Sequence, residues 1–128
     1  MKLLLDSHVF VWMHDAPQKL SRTVTNKITD ATNQIYLSVA SVWELQIKIK
    51  LGGFSFSDKF ETVIRQQQET NFLQILPVEL SHALHLENLP LHHKDPFDRL
   101  LISQSVVENM TLVSADKRLS AYDLNLLW

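Results

Sequence analysis

Carboxylates are the side chains in this sequence whose positions most readily suggest chemistry. Asp6 directly follows the apolar run 2–5, and Asp116 lies just beyond the similar run 111–114. Short runs that are apolar throughout are typical of strands covered on both faces, as in parallel sheets. Sites in such sheets lie outside the carboxyl ends of the strands, so both acids are predicted to lie at one edge.

Two further acids are predicted near the starts of helices, which begin at that same edge. Glu44 lies in the first half of a predicted helix over 39–51, and Asp98 follows Asp95 and Pro96. An Asp at the N-cap with Pro at the first helical position is a typical helix start. All four carboxylates are therefore candidates for one pocket.

Convergent carboxylates repel one another, and each acquires a raised pKa unless a positive group lies among them. A hard divalent cation such as Mg²⁺ or Mn²⁺, which prefers oxygen ligands, is the usual compensation. Such a cation can lower the pKa of a water and neutralise charge on a phosphodiester. The four acids therefore predict a Mg²⁺ or Mn²⁺ site able to cleave nucleic acid.

Each acid also has a purely structural interpretation. Asp6 and Asp116 can cap the helices that follow them, and Asp98 can stabilise a helix dipole. Glu44 can pair with Lys48, although its apolar neighbours indicate that much of this helix is buried. No acid is decisive alone, so the functional interpretation depends on all four meeting at one edge.

Composition limits the other possibilities. The chain has 128 residues, 45% hydrophobic and 20% charged, which predicts one globular domain over residues 1–128. Its 12 basic and 14 acidic residues give a net charge of −2, without the broad positive field of a passive nucleic-acid binder. It has no cysteine, and its adjacent glycines, Gly52 and Gly53, fit neither a dinucleotide-binding loop nor a P-loop. We find no signal peptide or membrane span and expect a cytoplasmic protein.

Strands and helices alternate along the chain. Strands are predicted over residues 2–5, 35–38, 73–76, 111–114 and 124–127. Helices are predicted over about 20–31, 39–51, 57–71, 81–89, 95–109 and 115–122, with Ser21 as a cap of the first. This alternation predicts an α/β fold, a three-layer α/β/α sandwich with a mostly parallel central sheet.

Four segments of the sequence resemble the PIN-domain nucleases, in order and with that family's spacing. They are LLLDSHVFVW, SVASVWELQIKIKLG, HKDPFDRLLISQS and LVSADKRLSAYDLNLLW, and the resemblance runs from Met1 to Trp128. The likeness is greatest to the VapC-like ribonuclease toxins of type II toxin–antitoxin pairs. It implies an α/β/α sandwich and an endoribonuclease that depends on Mg²⁺ or Mn²⁺.

The resemblance also implies roles for the four acids. Asp6 and Asp98 would be direct metal ligands, and Asp116 a further ligand or the group that holds a water there. Glu44 would orient or help deprotonate the attacking water. RNA would be hydrolysed without a covalent intermediate, leaving 5′-phosphate and 3′-hydroxyl ends.

Other residues are expected to support this site. Ser7 and Ser114 stand where the family commonly has Thr, and both keep a hydroxyl that can hydrogen-bond a carboxylate. Arg99 and Arg118, near the predicted metal ligands, are candidates for contacts with RNA phosphates. By resemblance, a cognate antitoxin would occupy a groove, which Trp43 could line, and the chain would form a homodimer.

Two other functions stay open at the level of residues. A phospho-receiver domain also uses Asp and Mg²⁺ on a parallel sheet, but it needs paired acids where Asp6 is followed by Ser7 and His8. A non-catalytic interaction domain would keep the fold and bind a protein partner.

Histidines offer a weaker alternative. A zinc site would draw on the four that lie close in sequence, His82, His85, His92 and His93. The sequence has no H-E-x-x-H motif and no cysteine ligand, so these histidines are predicted to lie on a helix surface and in a loop.

Overall fold

Five short strands form one sheet in which every neighbouring pair is parallel. In a computed structural model, which describes residues Met1–Trp128, they are β1 (Lys2–Leu5), β2 (Gln34–Ser38), β3 (Gln74–Leu76), β4 (Thr111–Val113) and β5 (Leu126–Leu127). The spatial order is β3-β2-β1-β4-β5. The chain therefore adds β2 and β3 on one side of β1, and then β4 and β5 on the other. Ligand sites of open α/β sheets lie where the strand order reverses in this way.

Six helices connect and cover the strands. They are α1 (Ser7–Asp15), α2 (Arg22–Thr29), α3 (Val39–Lys50), α4 (Phe60–Thr70), α5 (Leu80–His85) and α6 (Pro96–Val107). Short 3₁₀ turns occur at Pro17–Lys19, Leu86–Asn88 and Lys117–Ala121. None of the helices combines the length and the apolar character that crossing a membrane requires.

The two faces of the sheet pack against different helices, because side chains alternate along each strand. Leu3 and Leu5 of β1 belong to a core that includes buried residues of α1, α2, α3 and α4. Leu4 points the other way and packs with Leu101 and Ile102 of α6. This arrangement confirms the predicted three-layer α/β/α sandwich, and the sheet is parallel throughout.

Several predicted boundaries are wrong where the chain has no local signal. Helix α4 begins at Phe60 rather than residue 57, and its N-cap, Lys59, makes no side-chain capping bond. Phe54, Phe56 and Phe60 instead pack edge-on or stacked against one another, and the chain turns into the helix only after this cluster.

Helix α1 is not among the predicted helices, although Asp6 is considered as the cap of a helix that follows it. The remaining differences concern short elements. The predicted helix 81–89 is α5 followed by a 3₁₀ turn, and the predicted helix 115–122 is the 3₁₀ turn Lys117–Ala121. Strand β5 has only two residues, which pair with Leu112 and Val113 of β4.

Candidate functional site

Asp6 lies where β1 ends and α1 begins. Its backbone N–H donates to the carbonyl of Val113 at 3.0 Å, and its carboxylate accepts from the backbone N–H of Val9 at 2.8 Å. The residue is buried. Burial raises the pKa of the Asp6 carboxyl, while a hydrogen bond from Ser114 and the bond from Val9 act in the opposite direction. The carboxylate is thus held at the edge of the sheet in a place unfavourable to its charge.

Glu44 is buried on α3, and both of its carboxylate oxygens have partners. Ser7 donates its hydroxyl proton to Oε1 at 2.5 Å, and Nζ of Lys48 lies 3.3 Å from Oε2. Ser7 therefore has the carboxylate partner that its hydroxyl suggests, and the expected pair with Lys48 is present as well. The two contacts fix the direction of the Glu44 carboxylate.

Asp98 lies in the first turn of α6, behind the N-cap that the sequence predicts. Asp95 caps the helix by accepting from the backbone N–H groups of Phe97 and Asp98, at 2.9 and 3.1 Å. Burial raises the pKa of the Asp98 carboxyl to about 6, and the charge of Asp95 adds to the effect. His93 acts in the opposite direction, and the charges of Glu44 and Asp6 raise the pKa of Asp98 further.

Asp116 caps the 3₁₀ turn that follows β4. Its carboxylate accepts from the backbone and the guanidinium of Arg118, at distances from 2.7 to 3.2 Å. Hydrogen bonding by Arg118 lowers the pKa of Asp116 to about 2. Asp6 and Asp116 line the same open cavity of about 300 Å³, together with His8 and Trp12. Asp116 is therefore part of the same edge, but a cation is already beside it.

The fold brings all four predicted acids to the carboxyl edge of the sheet. Two of them, Asp6 and Asp98, are buried enough that their ionised forms are unfavourable, and neither forms an ion pair with a lysine or an arginine. Groups of this kind need an added positive charge to stay ionised together. Their oxygen donors suit a hard divalent cation, so the residues fit such an ion.

His93 also lies at this site. It opens the segment HKDPFDRLLISQS, but it is not among the predicted site residues. Its Nε2 lies 3.2 Å from Oδ2 of Asp98 and 3.5 Å from Oδ2 of Asp116. His93 lies in a loop, as predicted, but is only 8% exposed. The prediction of a helix-surface histidine is wrong for His82, which is fully buried on α5. His82 is held by Glu108 at 2.8 Å and by the backbone N–H of Glu79 at 2.9 Å. Neither burial could be predicted, because each depends on a partner distant in sequence, Glu108 for His82 and Tyr122 for His93.

The guanidinium of Arg99 forms hydrogen bonds within the chain. It donates to the carbonyls of Pro90 and Leu89, at 2.8 and 3.4 Å, and to the hydroxyl of Tyr122 at 3.2 Å. These bonds hold the loop in front of α6, and contact of Arg99 with RNA phosphates stays a prediction. Arg118, whose side chain is 72% exposed, lies at the rim of the site.

Comparison with known proteins places this arrangement in a family. The family model of the PIN domain matches residues 3–125. A comparison with curated protein sequences gives no match.

Solved structures with the same fold extend over nearly the whole chain. A chain of VapBC2 from Rickettsia felis, in a complex bound to a DNA fragment from its promoter, has a TM-score of 0.72 at 19% identity and covers 99% of this chain and 98% of its own. A chain of DNA-bound VapBC from Salmonella typhimurium has a TM-score of 0.69 at 11% identity, covering 99% and 97%. A chain of FitAcB from Neisseria gonorrhoeae has a TM-score of 0.67 at 18% identity, covering 98% and 96%.

The family model covers nearly every residue. Helices cover both faces of the parallel sheet, and the acids of the quoted segments meet at its carboxyl edge. The chain belongs to the PIN-domain family.

Proposed function

We propose that this chain is an endoribonuclease that depends on Mg²⁺ or Mn²⁺, and that it acts as the toxin of a type II toxin–antitoxin pair. The observation that carries the proposal is the convergence of four acids at one edge, two with raised pKa values. Such a cluster is unfavourable by itself and becomes favourable when a cation binds. RNA as the substrate comes from the family resemblance.

Asp6 and Asp98 would hold the cation, and Asp116 would join them when Arg118 turns away. When bound, a divalent cation there supplies a more acidic water and offsets negative charge on a phosphodiester. Arg118, released from Asp116, can reach toward a phosphate at the rim of the site. It is therefore the arginine that we propose as an RNA contact.

Glu44 would take the proton of the attacking water. Its carboxylate is oriented by Ser7 and Lys48, and it is near enough to Asp98 to raise the pKa of that residue. Ser114 would help to keep Asp6 ionised, because its hydroxyl lowers the pKa of that carboxyl. Water rather than the 2′-hydroxyl of RNA would be the nucleophile, so the products should carry 5′-phosphate and 3′-hydroxyl ends.

An antitoxin partner is supported by the surface of α3. Four apolar side chains at intervals of four residues are exposed along this helix, Val39, Trp43, Ile47 and Leu51. Trp43 packs edge-on against Phe97, the residue before Asp98, with ring centroids 5.1 Å apart. A peptide lying on this stripe would therefore reach the acids, and contiguous apolar surface beside a site is typical of protein interfaces. We propose that both RNA cleavage and antitoxin binding take place in the cytoplasm.

The experiment that tests the function is cleavage of a mixed RNA pool by the purified chain with Mg²⁺, with Mn²⁺ and with chelator. Asp98→Asn, which removes a proposed ligand, is compared with Asp58→Asn, which removes an exposed carboxylate before α4. We expect cleavage that needs a cation, persists in Asp58→Asn and is lost in Asp98→Asn. The fragments should end in 5′-phosphate and 3′-hydroxyl.

Three other outcomes would contradict the proposal in different ways. Cleavage that persists in Asp98→Asn would place the activity elsewhere or in a contaminant. Fragments with 2′,3′-cyclic phosphate would exclude water as the nucleophile. No cleavage and no Mn²⁺ binding by calorimetry would favour a non-catalytic interaction domain.

A further inference from the structure

His93 is the buried polar side chain at the site to which the proposed reaction gives no role. It is 8% exposed, and its Nε2 lies 3.2 Å from Oδ2 of Asp98 and 3.5 Å from Oδ2 of Asp116. Neither contact has the alignment of a hydrogen bond, so Nε2 is a buried polar atom without a partner. Such atoms are rare in folded proteins, and this one points between two acids of the site.

The backbone determines which nitrogen of His93 carries a proton. The backbone N–H of Asp95 donates to Nδ1 of His93 at 3.0 Å, so Nδ1 uses its lone pair and has no proton. A neutral imidazole then carries its proton on Nε2, while an imidazolium would need protons on both nitrogens. Nε2 is therefore an N–H donor that faces the carboxylates of Asp98 and Asp116.

The same tautomer argues against His93 as a metal ligand. Its Nε2 and a carboxylate oxygen from each of Asp98 and Asp116 lie within 4.8 Å of one another, which would suit a three-ligand site. A histidine that binds metal through one nitrogen almost always donates its other ring N–H to an acceptor. Nδ1 of His93 accepts instead, so Nε2 has no lone pair to offer a cation.

Two side chains connect His93 to the elements that carry its acceptors. The backbone N–H of His93 donates to the Tyr122 hydroxyl at 2.8 Å, and Arg99 donates to the same oxygen at 3.2 Å. Tyr122 ends the 3₁₀ turn that Asp116 begins, and Arg99 follows Asp98 in α6. The position of the ring is therefore fixed relative to both carboxylates.

We propose that His93 is a positioning residue, whose Nε2–H donates to Oδ2 of Asp98 and of Asp116 and holds both carboxylates for a divalent cation bound by oxygen ligands only. Hydrogen bonds at such sites are often poorly aligned until the site is occupied, which accounts for the present geometry of Nε2. The proposal rests on the proposed cation site, but it requires neither nuclease activity nor RNA.

The first test is Mn²⁺ binding, measured by calorimetry on the full chain without a histidine tag. His93→Asn keeps an acceptor near the position of Nδ1 but removes the outer donor, whereas His93→Gln keeps an amide donor near the position of Nε2. Loss of such an outer partner commonly weakens metal binding by about 10- to 100-fold. We expect a loss in this range for His93→Asn and partial recovery for His93→Gln. The control is His85→Gln, which replaces a half-buried histidine of α5 and should bind Mn²⁺ as the wild type does.

Two results would overturn the proposal. Unchanged Mn²⁺ affinity in His93→Asn, with a circular dichroism spectrum like that of the wild type, would leave His93 as a loop residue only. Electron spin-echo spectra could show coupling between bound Mn²⁺ and a histidine nitrogen. If that coupling were lost in His93→Asn, His93 would be a metal ligand.

NMR of the wild-type chain keeps the test valid if the variants do not fold. Nitrogen resonances of His93 should show the proton on Nε2, both in chelator and with excess Mg²⁺. A proton on Nδ1 in either state would overturn the proposal. If the wild type binds no Mn²⁺ while Nε2 keeps its proton, both the cation site and the proposed function are wrong. That outcome is distinct from a wild type that binds Mn²⁺ and a His93→Asn variant that binds it equally well, which would refute the role of His93 alone.

Discussion

The acids at the ends of β1 and β4 also stabilise the local structure that carries them. Asp6 accepts from the backbone N–H of Val9 at the start of α1, and Asp116 accepts from that of Arg118. Helix starts leave such N–H groups without a partner inside the helix, and a capping carboxylate satisfies them. The structural and functional interpretations of these acids are therefore compatible, because the cap fixes the direction of the carboxylate.

Replacing Asp98 with Asn should stabilise the cation-free protein at pH 7. The pKa of Asp98 is about 6 in the folded chain, against an ordinary value of 3.8, so between these values the folded chain holds a proton that the unfolded chain has lost. Asp98 therefore makes the free energy of unfolding fall as the pH rises from about 4 to 6, and the loss is complete above this range. Asn carries no charge and avoids this loss of stability. In urea unfolding with chelator, the free energy of unfolding of Asp98→Asn should therefore exceed that of the wild type by roughly 1–3 kcal/mol.

Two comparisons make this prediction specific to the buried charge. Asp58→Asn removes an exposed carboxylate and should change the free energy of unfolding little. Mg²⁺ should raise the stability of the wild type more than that of Asp98→Asn, because a ligand that binds only the folded chain stabilises it. An Asp98→Asn chain less stable than the wild type in chelator would show that contacts of Asp98 outweigh the unfavourable charge.

Arg118 should compete with cations for Asp116. Its guanidinium contacts both carboxylate oxygens of Asp116, yet its side chain is 72% exposed. Exposed ion pairs are weak, so the pair can separate. In Arg118→Gln we expect tighter Mn²⁺ binding in calorimetry, because Asp116 becomes free. We also expect weaker RNA binding, with a salt dependence reduced by about one phosphate contact.

The matched control for Arg118 is Arg65→Gln. Arg65 forms a similar exposed pair with Glu61 on α4, at 2.7 Å, and its loss should alter neither Mn²⁺ nor RNA binding. Weaker Mn²⁺ binding in Arg118→Gln would mean that the guanidinium orders Asp116 for the cation instead of competing with it.

At the scale of elements, a capping residue makes three helix starts predictable, although α1, which Asp6 caps, is not among the predicted helices. Ser21, Ser38 and Asp95 each accept a hydrogen bond from the first turn of a helix, and the starts of α2, α3 and α6 are close to those predicted. Helix α4 lacks such a bond, and its start is wrong. A cap is a local signal, whereas the aromatic cluster before α4 forms only in the folded chain.

The same distinction separates the acids from His93. Asp6, Glu44, Asp98 and Asp116 could be found because each follows a strand or lies near a helix start, and the topology then brings these places together. The loop that carries His93 has no periodicity, and its course depends on bonds to Arg99 and Tyr122. Those contacts cannot be inferred without the fold.

Ser38 connects the start of α3 with α6, the two helices that carry Glu44 and Asp98. Its buried hydroxyl accepts from the backbone N–H of Ala40 at 3.0 Å and donates to Oε1 of buried Gln104 at 2.6 Å. Ser38→Ala removes the cap and leaves that oxygen without its donor. Urea unfolding should show a loss of about 2–4 kcal/mol.

Ser120→Ala is the control for this helix connection. Ser120 is exposed and donates only to the carbonyl of Lys117, at 2.7 Å, so its replacement should have little effect. If Ser38→Ala were no more destabilising than Ser120→Ala, apolar contacts alone would hold α3 against α6.

At the scale of the whole molecule, the order of the strands creates the site. Leu5 and Val113 are paired across β1 and β4, so the residues that follow them meet although they lie at opposite ends of the chain. The sequence predicts a shared edge for these strands, but it does not say which strands are neighbours. The meeting of Asp6 with Asp116 therefore depends on β1 being central, with β4 at its side.

Exposed apolar side chains lie at several places on the molecule, and we consider two of these places as partner surfaces. One is the stripe on α3 beside the acids, and the other includes Leu80 and Leu84 on α5. An antitoxin that reaches the acids would use the stripe on α3, so we propose that the homodimer implied by the family resemblance forms through the surface on α5. Stable dimers commonly bury about 800 Å² on each partner around an apolar centre.

Leu84→Asp should therefore convert a wild-type dimer into a monomer in sedimentation equilibrium, because a charge would be buried in the interface. Trp43→Asp is the matched comparison, since Leu84 and Trp43 are 63% and 61% exposed and neither replacement removes core packing. We expect Trp43→Asp to remain a dimer and to lose binding of an antitoxin peptide. If Trp43→Asp were monomeric and Leu84→Asp dimeric, the assignment would be reversed, and the dimer would form through the stripe on α3. An antitoxin would then have to compete with the second copy for α3.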